Sequence, residues 1–445
     1  MSLTPESGDL SPARARNEPK SGEGIGENTA MSELKITGTG GDIFALYNME
    51  WQKPLEDWKE DPFLTDMRGI SRHIVRLVRM GPSDEEVFAV KETVAEFANK
   101  EYTVLRELAN RGAPTVEASA VVEGRLDLRG NELAPALVTR YLPYSLPYRV
   151  ILSRSVTEHD VNQMASALAL LLVRLHLLGF WWGDCSLSNT LFRRDASEYV
   201  AYLVDAETGE FHDHLSDGQR EHDLEIAHFN VAAELEDIIS SGVHLPGVDP
   251  IRSSEAVIRR YRRMWAVLKE PQILDPSDRH AVEGAMRNLQ DLGFAVEEVE
   301  IALDGEKGIL KFSPKLVAAG YHTSRLKEIL GIDAEEFQAK RLLASFDRFR
   351  ARQKPPKSEA ESARIWLTDV YQHVLGLVPD HLRGRVEPAQ MFHEILEHRW
   401  YLGEKNGIDL GLENATYDYI ATILPGRTDT GTSVHLPEDA TNIAT

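Results

Sequence analysis

The chain has 445 residues, one cysteine and a formal net charge of −22 at pH 7. This length is enough for two or three domains with buried cores. The excess of acidic residues disfavours a nucleic-acid-binding protein, because phosphate binding depends on Lys and Arg. A lone cysteine, Cys185, excludes an intramolecular disulfide and agrees with a reducing compartment, so we expect a cytoplasmic protein.

Both ends of the chain are predicted to be disordered tails. Residues 1–40 are rich in Ser, Gly, Glu and Pro, and their start lacks the apolar core of a signal peptide. We expect a second tail over residues 427–445. The most apolar run, residues 165–182, contains Arg174 and His176 and predicts a buried helix instead of a membrane span.

Residues 41–145 predict a small lobe built on strands. Alternating apolar residues over 71–79 and the run Val87-Phe88-Ala89-Val90 predict two strands. Residues 96–108 have the spacing of an amphipathic helix, and two further β stretches follow. The order of elements is β-β-α-β-β.

Residues 146–270 predict a helical lobe, with a long apolar helix over 157–180 and another from about 221 to 239. Residues 271–426 predict a mostly helical third domain with a small hairpin around Asp304-Gly305-Glu306. The expected fold class is therefore α+β, with two lobes and an additional, mostly helical C-terminal domain.

The stretch Trp182-Gly183-Asp184-Cys185-Ser186-Leu187-Ser188-Asn189 carries the clearest chemical signal. Asp184 and Asn189 stand five positions apart on a predicted tight loop. Phosphoryl transfer needs a carboxylate that meets the acceptor hydroxyl and an amide oxygen that binds metal on the opposite side. The alternative is an Asp and an Asn in an ordinary turn.

A second acidic pair follows the predicted strand 200–204. Asp205 ends this strand, and Glu207 lies two residues further on. Because Mg²⁺ prefers oxygen ligands, we predict that Asn189, Asp205 and Glu207 hold it. A strand-terminating Asp is common by itself, so the prediction depends on the two motifs occurring together.

Lys91 directly follows the apolar strand that ends at Val90, where its ammonium would reach the phosphates of ATP. Glu101 lies on the inward face of the following helix, where an unpaired charge would be costly. We therefore predict that Glu101 pairs with Lys91 and that both act with Asp184 in catalysis. The alternative is a surface Lys with a packed stem.

Two further segments are predicted to contact the nucleotide. The turn around Gly69 and Ser71 would cradle phosphate through backbone N–H groups, although a plain turn explains it nearly as well. Val138, Tyr141 and Leu142 lie where the adenine would meet the segment that joins the lobes.

Two other motifs have simpler explanations. Asp223 would brace the catalytic loop from the next helix, or it is only an acidic residue near a helix N-terminus. His393 and His398 are five residues apart on a predicted helix, about 140° around its axis. A helical zinc pair needs two His one turn apart, so this spacing excludes it.

Together these residues resemble the protein-kinase-like superfamily over residues 68–240, nearer its small-molecule branch. Most of the chain also resembles an uncharacterised bacterial family described as lipopolysaccharide-kinase-like. Three stretches carry that second resemblance: residues 87–92, 182–192 and 392–400. The resemblance implies a kinase fold with ATP and Mg²⁺ as cofactors, and Trp182 departs from it by replacing the usual His of the loop.

We therefore expect a Mg-ATP-dependent phosphotransferase that acts on a hydroxyl of a small molecule or glycan. About 18 residues separate Asp205 from Asp223 and no Ala-Pro-Glu follows, which leaves little room for docking a peptide substrate. The alternatives are a non-catalytic nucleotide-binding regulator, a protein kinase, and nucleotidyl transfer with ATP bound in reverse. The C-terminal domain would offer a docking surface for a protein partner.

Overall fold

The computed structural model describes eleven segments of the chain: residues 34–38, 42–59, 74–80, 86–153, 157–196, 198–269, 272–274, 296–304, 309–316, 321–406 and 410–427. The fold is mixed α/β with a helical C-terminal region, which confirms the predicted class at that level. The predicted phosphate turn with Gly69 and Ser71 lies outside the described residues, as do most of the two predicted tails.

The first part of the structure is an antiparallel five-stranded sheet with the strand order β1-β4-β5-β3-β2. Its strands are β1 (Lys35–Gly38), β2 (Val75–Met80), β3 (Glu86–Glu92), β4 (Ala118–Glu123) and β5 (Ala136–Arg140). The prediction of a tail up to residue 40 was wrong for β1, because this short polar strand gains its backbone partners from β4, far away in sequence.

The two faces of this sheet are covered differently. On one face lies helix α2 (Ala95–Asn110), whose Leu105 and Leu108 are fully buried. On the other face the chain's own N-terminal segment packs, with helix α1 (Asp42–Tyr47) and the buried side chains Trp51, Leu55 and Trp58. The N-terminal segment thereby closes one face, and the cleft described below opens on the other.

A buried arginine fastens this N-terminal segment to the sheet. The Arg125 guanidinium donates hydrogen bonds of 2.7 Å each to the Glu92 carboxylate and to the backbone carbonyls of Lys53 and Ala134. Glu92 also accepts a hydrogen bond from the backbone N–H of Leu55. Every charge in this contact is paired, as burial requires.

The second part is helical. Its helices are α3 (Tyr148–Leu152), α4 (Glu158–Leu177), α5 (Asp217–Ser240) and α6 (Pro250–Lys269). Helix α4 is the predicted apolar helix and lies at the centre of the core. Helix α5 begins earlier than predicted, because Ser216 and Gln219 form a capping box at its N-terminus. Among the described residues, no helix has both the length and the hydropathy needed to cross a membrane.

Short strands complete this part. Strands β6 (Ser145–Pro147), β8 (Thr190–Asp195) and β9 (Glu198–Leu203) form one sheet, in which β8 and β9 are an antiparallel hairpin. Strands β7 (Phe180–Trp181) and β10 (Glu210–Phe211) form a second, two-stranded pair.

The C-terminal part begins with the antiparallel strands β11 (Gln272–Leu274), β12 (Val296–Asp304) and β13 (Ile309–Leu316), and the pairing of Asp304 with Ile309 confirms the predicted hairpin. Helices follow: α7 (Tyr321–Leu330), α8 (Glu336–Arg352), α9 (Glu359–Trp366), α10 (His373–Gly376), α11 (Pro388–Asn406) and α12 (Leu412–Thr422). Trp366 and Phe392 are fully buried at the centre of this helical unit and contact each other edge to face.

Replacing Arg125 by Ala should destabilise the protein strongly. The change removes the ionic partner of Glu92 and a donor to the backbone carbonyls of Trp51, Lys53 and Ala134. Loss of one partner of a buried pair typically costs about 3–5 kcal/mol. Urea unfolding of the variant measures the change in the free energy of unfolding.

The matched control is Lys35→Ala, which breaks an exposed ion pair with Glu123 on the same sheet. Exposed pairs contribute at most about 1 kcal/mol. Equal losses in the two variants would contradict the role given to Arg125.

Candidate active site

A cavity of about 460 Å³ lies between the sheet and the helical part. Strands β2, β3 and β5 form one wall, and helix α5 with the loop that contains Asp184 and Asn189 forms the other. Apolar side chains line much of this cavity: Val75, Leu77, Ala89, Val116, Leu137 and Leu191. The charged residues predicted from the sequence line it as well, so a ligand with an apolar ring and an anionic tail fits its polarity.

Lys91 lies at the centre of a cluster of acidic side chains in this cavity. Its Nζ lies 2.9 Å from Glu101 Oε2, 2.9 Å from Asp205 Oδ2 and 3.3 Å from Glu207 Oε2. Glu101 comes from helix α2, whereas Asp205 and Glu207 follow strand β9 in the helical part. One ammonium group therefore joins the two walls of the cavity.

The charges in this cluster are not balanced. Burial alone would lower the pKa of the Lys91 ammonium, but Glu101 and Asp205 outweigh it and raise that pKa above its ordinary value. Burial, together with the nearby Asp205 carboxylate, raises the pKa of Glu101 to about 8, although Lys91 acts in the opposite direction. Even with Glu101 protonated, the Asp205 and Glu207 carboxylates outnumber the single Lys91 ammonium, so the cluster favours the arrival of a further cation.

Carboxylate oxygens of Glu101, Asp205 and Glu207 all lie within 4.8 Å of one another. Such a set of oxygen donors suits a hard divalent cation such as Mg²⁺. Asp205 and Glu207 are partly exposed towards the cavity, while Glu101 is fully buried behind Lys91. The two residues predicted as metal ligands are therefore the accessible members of the cluster.

Asp184 and Asn189 contact each other, as their spacing on a tight loop predicts. Asn189 Nδ2 donates to Asp184 Oδ2 at 2.9 Å and to the Asp184 backbone carbonyl at 3.0 Å. This orientation uses the amide nitrogen and leaves the side-chain oxygen of Asn189 for a metal ion. Asp184, Asn189, Asp205 and Lys91 all line the same cavity.

Asp223 holds the beginning of this loop from helix α5. Its fully buried carboxylate accepts hydrogen bonds from the backbone N–H groups of Trp182 (2.9 Å) and Gly183 (2.7 Å). His176 Nε2 lies 3.0 Å from the same carboxylate, and His176 Nδ1 lies 2.7 Å from the Tyr261 hydroxyl. This is the bracing contact that the sequence suggested, with a buried His and Tyr behind it.

Sequence reasoning missed two further anchors on helix α5. Glu234 accepts hydrogen bonds from the backbone N–H groups of Leu187 (2.8 Å) and Ser188 (2.9 Å). Asn230 Nδ2 lies 3.4 Å from Asp184 Oδ1 and donates to the Cys185 carbonyl at 3.1 Å. The helical spacing could have predicted both contacts, because Asn230 and Glu234 lie 7 and 11 positions after Asp223 and therefore on the same face of the helix.

Trp182 links the two acidic motifs. Its ring is fully buried, and its Nε1–H donates to the Asp205 backbone carbonyl at 3.0 Å. Its own backbone carbonyl accepts a hydrogen bond from the Thr208 hydroxyl at 2.8 Å. Gly183 follows with a positive φ of 76°, a conformation that suits Gly.

The residues predicted to contact adenine divide into two groups. Tyr141 and Leu142 line the cavity. Val138 does not, because it is fully buried against the N-terminal segment on the opposite face of the sheet. Successive side chains of a strand point to opposite faces, so its neighbours Leu137 and Thr139 line the cavity instead.

Comparisons with known proteins give a limited result. Residues 263–424, less than half of the chain, match the model of a family described as a domain of unknown function (DUF4032). A search of curated proteins finds no match. Among solved structures, a chain described as WaaP in complex with acyl carrier protein aligns at 18% identity with a TM-score of 0.31. That alignment covers 52% of this chain and 92% of the other. This alignment is too weak to assign a fold or a function, so the evidence for function is the site itself.

Replacing Asp223 by Asn should loosen the loop. An Asn side chain has one acceptor oxygen, so at least one backbone N–H of the loop loses its partner, at a cost of about 1–3 kcal/mol. Chemical denaturation measures this loss.

The matched control is Asp217→Asn on the same helix, where the side chain is 94% exposed. Surface substitutions of this kind change stability by about 0.5 kcal/mol or less. If Asp223→Asn were equally mild, the bracing role would be wrong.

Proposed function

We propose that this chain is a Mg-ATP-dependent phosphotransferase that phosphorylates a hydroxyl group of a small molecule or glycan. In this proposal the chain has the two-lobed arrangement of protein-kinase-like enzymes, with the lobes at about residues 41–145 and 146–270 and the helical unit at about 271–426. The supporting observation is Lys91, which contacts Glu101 and Asp205 in a cavity that also holds Asp184 and Asn189.

The polarity of the cavity supports ATP as the phosphate donor. The apolar lining of the cavity suits the adenine ring, and the Lys91 ammonium suits the phosphates. The Glu101 and Asp205 carboxylates outweigh the effect of burial on the pKa of Lys91 and keep it charged. Lys91 would therefore meet the nucleotide as a cation, held at a fixed position by Glu101.

Mg²⁺ would be held by Asn189, Asp205 and Glu207, which offer oxygen donors to the cavity. When bound, the ion neutralises negative charge on the phosphates and on the leaving oxygen. It also balances the excess of carboxylates around Lys91. The donor set of this chain thus fits the ion that phosphoryl transfer requires.

Asp184 is assigned to the acceptor. The acceptor oxygen forms a bond to the γ-phosphorus while the bond to the β,γ-bridging oxygen breaks, and ADP leaves. The hydroxyl proton passes to the Asp184 carboxylate, which Asn189 and Asn230 hold in place. A small acceptor is favoured because the segment from Asp205 to Asp223 is short and Asp223 is itself tied to the loop.

Asp184→Asn tests the catalytic assignment. The variant keeps the shape of the side chain but cannot accept the hydroxyl proton, and loss of general base catalysis lowers rates by about 10²–10⁴-fold. The assay follows transfer of γ-phosphate from Mg-ATP to fractions of a cell extract, with Asp217→Asn as the control that should match the unmodified protein.

The outcomes separate the alternatives. ATP binding without transfer in the unmodified protein would support a non-catalytic regulator and overturn the proposal. Transfer only to polypeptide would support a protein kinase. Attachment of the AMP moiety to the acceptor with release of pyrophosphate, followed with α-labelled ATP, would support nucleotidyl transfer.

Lys91→Met tests the charge balance. Without the ammonium, the neighbouring carboxylates lose the positive charge that now offsets them and attract a divalent cation more strongly, so Mn²⁺ should bind more tightly in the absence of nucleotide. ATP should bind more weakly, because its phosphates lose their cation. Titration calorimetry with Mn²⁺ and with ATP measures both effects.

Lys100→Met provides the control, because it removes the same charge from helix α2 outside the cavity. It should leave both affinities nearly unchanged. Weaker Mn²⁺ binding in Lys91→Met would show that the cluster is no cation site and would contradict the assignment.

A further inference from the structure

The hairpin β8–β9 joins two of the three predicted metal ligands, Asn189 and Asp205. Asn189 directly precedes β8, and Asp205 follows the end of β9 by two residues. At this base Thr190 pairs with Leu203, and the Val204 N–H donates to the Asn189 carbonyl at 3.1 Å. Any movement of the hairpin base therefore moves both residues.

The tip of the same hairpin is inserted into the C-terminal helical unit. Asp195 is fully buried there, and its carboxylate accepts hydrogen bonds from the backbone N–H groups of Phe337 (3.0 Å) and Gln338 (2.8 Å) at the start of helix α8. Free N–H groups at a helix N-terminus need such acceptors. The hairpin thus supplies Asp195 as an additional cap of α8, beside the capping box that Glu335 and Gln338 form locally.

Gln390 from helix α11 holds the turn of the hairpin. Its Oε1 accepts from the Ala196 N–H and its Nε2 donates to the Ala196 carbonyl, both at 2.8 Å. Ala196 has a φ of 61°, which is unfavourable for a residue with a Cβ. An unfavourable backbone conformation persists only where its surroundings fix it, and Gln390 provides that fixation.

Both strands of the hairpin also contact residues that directly precede helices α8 and α11. Arg193 forms ion pairs with Glu387 and, at 3.4 Å, with Glu335. The Tyr202 hydroxyl donates to Glu335 as well. Contacts therefore run along both strands, and β8 spans about 20 Å from tip to base at about 3.3 Å per residue.

We propose that the C-terminal helical unit positions the phosphate-transfer site in cis, by fixing the β8–β9 hairpin and with it Asn189 and Asp205. Asp195 and Gln390 are positioning residues in this arrangement. The inference rests on the proposed function for its catalytic consequence, whereas the mechanical link rests only on the contacts above. It gives the helical unit a role in positioning the site of the same chain, in addition to any role in binding a partner.

Two variants of the full-length chain test this link. Asp195→Asn places an amide against two helix N–H groups, and Gln390→Ala removes both hydrogen bonds to Ala196. The control is Asp418→Asn, which breaks a pair with His398 (2.6 Å) inside the same helical unit but away from the hairpin. Thermal unfolding first shows that all three variants are folded at the assay temperature.

Three measurements follow: hydrogen–deuterium exchange of the amides of residues 190–204, the Mn²⁺ dissociation constant, and ATP affinity without metal. In both hairpin variants we expect faster exchange at the base, including Val204, and about tenfold weaker Mn²⁺ binding. Metal-free ATP affinity should stay within about twofold, since Lys91 and the apolar wall are unchanged. The control should show none of these effects.

Unchanged exchange at the hairpin base in both variants would overturn the inference. So would faster exchange with unchanged Mn²⁺ affinity, because Asn189 and Asp205 would then not depend on the hairpin. Absence of Mn²⁺ and ATP binding in the unmodified protein would instead overturn the proposed function, and exchange at the base would still decide whether the mechanical link exists.

Discussion

The contact of one buried ammonium with three carboxylates determines how the two walls of the cavity meet. Lys91 comes from the sheet, Glu101 from the helix that packs on it, and Asp205 and Glu207 from the end of a strand in the helical part. Buried charges are stable only when they are paired, so this cluster fixes the distance between the walls. Because the carboxylates outnumber the ammonium, the same cluster favours a cation, and that cation would in turn allow a polyanionic ligand to bind.

Helix α5 is the second element on which the site depends. It places Asp223, Asn230 and Glu234 along one face, and these three side chains hold the loop from Trp182 to Asn189 mainly through its backbone. Backbone contacts leave the loop's side chains free to act on a ligand. The Trp182 ring adds a further contact, because its Nε1–H donates to the backbone carbonyl of Asp205.

Local sequence patterns were enough for some of this arrangement. The inward face of helix α2 predicted that Glu101 would meet Lys91, and the two atoms lie 2.9 Å apart. The five-residue spacing of Asp184 and Asn189 predicted a loop in which they meet.

Other features depend on partners that are distant in sequence. Strand β1 is polar and is ordered by pairing with β4. The error at Val138 arose because its position was inferred from chain order, while the pleat of the strand decides which neighbour faces the cavity. The binding of Glu234 to two backbone N–H groups leaves no motif in the loop itself, since any residue other than Pro supplies such a donor.

The C-terminal helical unit and the β8–β9 hairpin also depend on contacts between residues that are distant in sequence. Gln338 and Gln390 are buried polar residues in that unit, and they make hydrogen bonds to the backbone of the β8–β9 hairpin at Arg194 and Ala196. Buried polar groups without partners are costly, so neither the helical unit nor the hairpin is complete alone. The matched region at residues 263–424 includes both glutamines but not the hairpin. The contacts of these two glutamines therefore join the region that the family model matches to a part of the chain outside it, and the two parts have to be studied in one chain.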